Sequence, residues 1–111
     1  MDIVETRESD AVTLALKGRL DNASSPGFEE RVLKHINAGD HRLVIDLAQL
    51  DYISSVGLRV FMLAAKRLKP AGGRIVVCAM QPAVKQVFDI AGFASIIPMT
   101  ATRDEATAKL A

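Results

Sequence analysis

The chain has 111 residues, half of them hydrophobic, 24% charged and only 5% aromatic, so it can bury one aliphatic core and is expected to form a single domain over residues 1–111. Its 14 Lys and Arg against 13 Asp and Glu leave a formal charge of +1, too little to gather nucleic acid or acidic lipid. Two His and one Cys are too few for a metal site of several nitrogen and sulfur ligands.

The N-terminus shows no basic region followed by an apolar stretch, and no apolar run approaches the roughly 20 residues of a membrane helix, so a cytoplasmic location without membrane insertion is expected. Val12, Leu14 and Leu16 alternate with Thr13, Ala15 and Lys17, the period-two pattern of a half-buried strand. Ser9-Asp10 offers a turn from an earlier strand over Ile3 to Arg7. Ser24 or Ser25 can cap a helix with Pro26 in its first turn; Phe28, Val32, Leu33 and Ile36 mark its inner face and Gly39 ends it. His35, near the end of that helix where positive charge is tolerated, and His41 read as surface residues.

A strand follows at Arg42 to Leu47, and its unbroken Leu43, Val44 and Ile45 predict coverage on both faces. Leu58, Phe61, Met62, Ala65 and Leu68 recur at helical spacing, so a helix runs from about Ser55 to Lys69, with Arg59, Lys66 and Arg67 opposite. It stops before Pro70, and Gly72-Gly73 makes a turn. Ile75 to Ala79 repeats the buried-strand pattern, with Cys78 as a small buried hydrophobe. Pro82 opens a helix with Val84, Val87, Phe88 and Ala91 inward and Gly92 at its end, and Ala94 to Ile97 reads as a last short strand. Thr102 and Glu105 form a capping box for a terminal helix with Ala106 and Leu110 inward. The order predicts an α/β fold: a mostly parallel or mixed sheet of about five strands packed against about four helices.

Catalytic signals are absent. Gly72-Gly73 lacks the Lys and Ser/Thr of a phosphate-binding loop, and no GxGxxG follows a strand. Ser54-Ser55-Val56-Gly57 lies where a hydrolase carries its nucleophile, but the G-x-S-x-G elbow and a paired His are missing, so neither enzyme activity nor a cofactor is expected. Either serine also suits a helix N-cap, where it would satisfy orphan amides.

The phrase Asp46-Leu47, Leu50, Tyr52-Ile53-Ser54-Ser55-Val56-Gly57-Leu58 resembles the signature of the STAS domain, specifically of anti-sigma factor antagonists. Gly18-Arg19-Leu20-Asp21, Gly72-Gly73 and Pro82-Ala83-Val84 followed by Phe88 and Gly92 extend the resemblance over nearly the whole chain. It implies that Ser55 is phosphorylated; Ser54, which stands where many relatives have Asp, is either the cap or a second acceptor. It implies as well that Asp21 and Asp46 lie near the modified serine and help to bind the kinase or orient the hydroxyl.

By that resemblance, the unmodified protein binds an anti-sigma factor that is itself a serine kinase of the GHKL type, and so frees the sigma factor or an analogous target. The kinase supplies ATP, phosphorylation of Ser55 abolishes binding, and a PP2C-type phosphatase restores it. The implied contact surface is Asp21, Asp46, Ser54, Ser55, Val56, Gly57 and Arg59, with Val60 and Leu63 as outer candidates. Gly57 either admits the partner's backbone or serves helix packing. The alternative is a STAS adaptor subunit of an ABC-type lipid transporter.

Overall fold

The alternating Val12, Leu14 and Leu16 fall in strand β2 (Ala11–Leu20) of a computed structural model that describes residues 1–8 and 10–110. β2 pairs antiparallel with β1 (Asp2–Glu8) as the expected hairpin; the turn expected at Ser9-Asp10 includes Ser9, which lies outside the described residues. After α1 (Ser25–Asn37), β3 (Arg42–Ile53) lies parallel to β2, and β4 (Arg74–Cys78) and β5 (Met99–Thr100) continue the parallel run. The sheet order is β1-β2-β3-β4-β5, a mixed five-stranded sheet with four helices, as predicted.

The unbroken apolar run of β3 has a direct cause. Leu43, Ile45 and Leu47 pack with Phe28 and Val32 of α1, Phe61 and Leu68 of α2 (Ser55–Leu68) and Phe88 of α3 (Pro82–Ile90). Val44 faces the other way, with Val76, Cys78 and the Ala106 and Leu110 of α4 (Arg103–Leu110). On the first face Phe28, Phe61, Phe88 and Phe93 form a chain of ring pairs with centroids 5.2, 5.2 and 5.5 Å apart. Each such pair adds about 1 kcal/mol to the area buried, so α1, α2 and α3 are fixed to one another as well as to the sheet.

Local sequence rules account for most boundaries. α2 ends at Leu68, and Pro70 sits in a single 3-10 turn (Lys69–Ala71) before Gly72 and Gly73. A Cβ on Gly73 would lie 2.6 Å from the His41 carbonyl oxygen, so only glycine lets the chain re-enter the sheet there. Thr102 Oγ1 accepts from the Glu105 amide at 3.1 Å and starts α4 as expected.

The structure corrects several expectations. β3 continues to Ile53 instead of ending at Leu47. The last strand is at Met99–Thr100, whereas a 3-10 turn at Phe93–Ser95 overlaps the start of the expected Ala94 to Ile97 strand. Phe93 and Ile97 are both buried while Ala94, Ser95 and Ile96 are exposed, a spacing of four that suits a helical turn and not an alternating strand. Ala91 is exposed at the end of α3. On α2 the deepest residues include Val60 and Ala64, with Leu58, Met62 and Ala65 only partly buried.

His35 is not a surface residue: it is 8% exposed, whereas His41 is exposed as expected. Its Nε2 lies 2.7 Å from Glu5 Oε1 on β1 and its Nδ1 2.8 Å from Asp40 Oδ2 beyond α1. Arg7 makes a two-pronged pair with Asp40 at 3.0 Å, and Arg31 reaches Glu5 at 3.3 Å. The Arg7 guanidinium, then His35, hold the Asp40 carboxyl down at about 2, and the His35 hydrogen bond lowers that of Glu5. This cluster ties the edge strand β1 to α1.

Candidate functional site

β2 and β3 run parallel and stay paired to their last residues, Leu20 opposite Ile53, so Asp21 and Ser54 leave the sheet side by side at one edge. The Ser54 amide donates to the Leu20 carbonyl at 2.9 Å and locks that junction. Ser54 then turns the chain into α2 as its N-cap: its backbone is extended (φ −92°, ψ 169°) and its Oγ accepts from the Gly57 amide at 3.2 Å. Ser55 is the first helical residue and is exposed, and its hydroxyl has no hydrogen-bond partner among the described residues. The two serines therefore differ among the described residues: Ser54 caps the helix, as one of its two expected roles, and the Ser55 hydroxyl is unpaired.

Asp21 faces the same edge. Its Oδ1 accepts from the amides of Ala23 at 3.1 Å and Ser24 at 3.0 Å, and these bonds, Ser24 first, keep its carboxyl below the usual carboxylate range. Ser24, expected as a possible cap of α1, instead uses its Oγ within this turn, accepting from the Asp21 amide at 3.0 Å and reaching the Arg19 carbonyl at 2.8 Å. Ser25 Oγ donates to the Asp21 carbonyl at 2.6 Å. The loop that carries Asp21 is thus held by its own hydrogen bonds.

One strand step back, Arg19 and Tyr52 are register partners, with the guanidinium carbon 4.2 Å from the ring centroid. Both are exposed. The sequence reading gave neither a role, although Tyr52 is the sole tyrosine and adjoins the serines, and Arg19 belongs to the Gly18-Arg19-Leu20-Asp21 phrase. Exposed Tyr and Arg are the residue types that carry binding energy at interfaces.

The remaining predicted site residues divide. Arg59 is exposed one turn along α2, and Val56 and Leu63 are half-buried. Gly57 is buried, and a Cβ there would lie 2.9 Å from Leu20 Cγ and 3.1 Å from Ile53 Cγ1, so it is a packing glycine that seats α2 on the strand ends and does not admit a partner's backbone. Val60 is 3% exposed and belongs to the core, not to the contact surface.

Asp46 is also corrected. It lies seven positions before Ile53 on the α4 face, opposite Ala15, which is about 17 Å along β2 from Leu20. Its Oδ2 pairs with Arg103 Nε and Nη2 at 3.0 and 2.8 Å, and its Oδ1 accepts from the Ala48 amide at 2.9 Å. Asp46 therefore anchors α4 and is not brought to Ser55. Among the described residues no three His, Cys, Asp or Glu side chains converge as metal ligands. Cys78 is buried in the sheet and its thiol is pushed up to about 11, by burial first and the Asp46 charge second, which leaves it a poor nucleophile.

The fold and this edge define a small α/β binding module that presents a free hydroxyl, a carboxylate and an Arg-Tyr pair. Residues 3–106 match the family described as the STAS domain, and the chain belongs to that family. Over 93 residues, 84% of this chain and 80% of the relative, it is 42% identical to BtrV of Bordetella bronchiseptica, provisionally named an anti-sigma factor antagonist. The crystal structure of an anti-sigma factor antagonist from Mycobacterium paratuberculosis has the same fold, with a TM-score of 0.91 at 22% identity over 98% of this chain and 92% of that one. The Bacillus cell-fate determinant SpoIIAA, solved in its phosphorylated form, gives a TM-score of 0.79 at 20% identity over 99% of this chain and 100% of that one.

Proposed function

We propose that the protein is a phosphorylation-controlled anti-sigma factor antagonist. With Ser55 unmodified it docks on an anti-sigma factor and frees the sigma factor or an analogous target. The observation that carries this reading is the free Ser55 hydroxyl at the mouth of α2, beside a Ser54 hydroxyl already occupied by the Gly57 amide. The name of the 42% identical relative favours it over the transporter-adaptor reading, and the phosphorylated form of SpoIIAA supports a covalent switch on this fold.

In the proposed cycle the partner is a GHKL-type serine kinase that brings its own ATP. Ser55 Oγ attacks the γ-phosphorus, ADP leaves, and the hydroxyl proton passes to a base of the kinase; this chain supplies the acceptor alone. The phosphate adds about −1.5 to −2 charges and three acceptor oxygens. The amides and dipole of the first turn of α2 accommodate it without refolding. Ionised Asp21, across the same edge, adds to the negative potential that an incoming partner meets. A PP2C-type phosphatase hydrolyses the ester and restores the neutral surface. Such partners place the protein in the cytoplasm.

Incubation with the cognate kinase and ATP, followed by mass-spectrometric localisation, tests the assignment. Phosphate is expected on Ser55, absent from Ser55→Ala and retained in Ser54→Ala, whose lost cap costs about 1 kcal/mol of stability. Modification at Ser54, or at neither serine, would refute it.

A further inference from the structure

The far end of α2 carries a second surface. The last two turns of α2, the start of β4 and the segment before β5 enclose a groove of about 540 Å³ at the sheet edge opposite Ser55. Its floor is apolar: Met62, Ala65, Ile96 and Pro98 reach the surface over the buried Leu68 and Ile75. Ile96 stands 46% exposed there, although it is a large aliphatic side chain.

The rim is cationic. Lys66, Lys69 and Arg74 line the groove, all three exposed, and no carboxylate lines it. None of the three enters an ion pair among the described residues. The Arg74 guanidinium donates to the Lys109 carbonyl oxygen at 3.1 Å, and Arg74 is the register partner of Arg42, a like charge on the adjacent strand. The sequence has no Asp or Glu between Asp51 and Asp89, while Lys66, Arg67, Lys69 and Arg74 fall within that interval. In a chain of net charge +1 this is a local, uncompensated positive field over an apolar floor.

We infer that this groove docks an acidic segment of a partner protein, with apolar side chains seated on Met62, Ala65 and Ile96 and carboxylates on Lys66, Lys69 and Arg74. A carboxylate meets the Arg74 fork bidentately, and the lysines act as point charges on either side. A polynucleotide offers no apolar side chain for the floor, and a flat bilayer does not reach into a concavity. Lys66, the first cation of the groove, lies about 17 Å along α2 from Ser55, about two Debye lengths from a Ser55 phosphate at physiological salt. The groove therefore holds its partner in both states of the switch, and the inference stands whether or not Ser55 is the modified residue.

The test is calorimetric titration with a synthetic peptide of about twelve residues bearing Leu at positions i, i+3, i+4 and i+7 and Glu elsewhere, alongside a peptide with Gln in place of Glu and phosphatidylglycerol vesicles. Saturable binding of the Glu peptide is expected, with amide shifts at Ser95 and Ile96. Affinity should fall about tenfold or more in a Lys66→Glu/Lys69→Glu double variant and in Ile96→Asp, and change less than about twofold in Ser55→Asp. All these positions are exposed, so unchanged melting temperatures certify the variants as folded. Absence of saturable binding, equal binding of the Gln peptide, indifference to the double variant, or tighter attachment to the vesicles than to the peptide would overturn the inference.

Discussion

The mouth of α2 and the Glu5–His35–Asp40 cluster are both polar, both built across two strands or a strand and a helix, and opposite in what they leave over. In the cluster each imidazole nitrogen has a carboxylate within 2.8 Å and each carboxylate also has an arginine. At the mouth of α2, among the described residues, the Ser54 hydroxyl is taken but that of Ser55 is not, and Arg19 lies on the face of Tyr52. Filled hydrogen-bonding capacity holds the fold together. Capacity left open on a rigid frame is what a second molecule can use.

The largest effect that distinguishes them should come from charge at Ser55. Ser55→Asp is expected to weaken binding to the cognate anti-sigma factor by about a hundredfold, with Ser55→Ala within about threefold of wild type and both melting temperatures nearly unchanged. Titration of the two variants against the same partner checks this, and equal affinities would remove the electrostatic switch.

The converse experiment removes the filled site. His35→Ala leaves Glu5 and Asp40 without the ring between them, and the loss of two hydrogen bonds to charged groups should cost about 2 kcal/mol, or roughly 10 °C in melting temperature. Partner affinity should not move. If affinity fell with stability, the two regions would be coupled through α1 and the division drawn above would fail.

These contrasts show which parts of the molecule sequence can disclose. The two-sided coverage of β3 was legible because Leu43, Val44 and Ile45 are contiguous, and α2 because its apolar residues recur at three and four. The serine pair was legible as a phrase, and the resemblance that it carried gave the family to which the chain belongs. What periodicity cannot encode is which distant residue comes to meet a polar side chain. Asp46 is paired with Arg103, 57 positions away, and His35 with Glu5, 30 positions away. Nothing near Asp46 or His35 in the chain announces either contact, so Asp46 was assigned to the serine and His35 to solvent. The capping role of Ser54 depended on one backbone amide, that of Gly57, and Gly57 itself was decided by how closely Leu20 and Ile53 approach. The Phe93–Ser95 turn was missed for a related reason, since the burial of Phe93 and Ile97 overrides weak local preference.

The smallest expected effect compares one carboxylate from each region under acid. Asp40 is held at about 2 by Arg7 and His35, below its ordinary 3.8, so between those values the folded state keeps a charge that the unfolded chain has already neutralised. Its stabilising contribution is complete above about pH 4 and is lost as the pH falls through 2; Glu5, shifted the same way, adds to it. Asp21 is also shifted downward, but by amides of its own exposed turn, where solvent screens the gain. Melting curves recorded from pH 6 to pH 2 should therefore show a shallower acid limb for Asp40→Asn than for wild type, and little change in that limb for Asp21→Asn. A limb that flattened equally in both variants would place as much folding energy at the mouth of α2 as in the His35 cluster. The free edge could then no longer be treated as energetically separate from the frame that carries it.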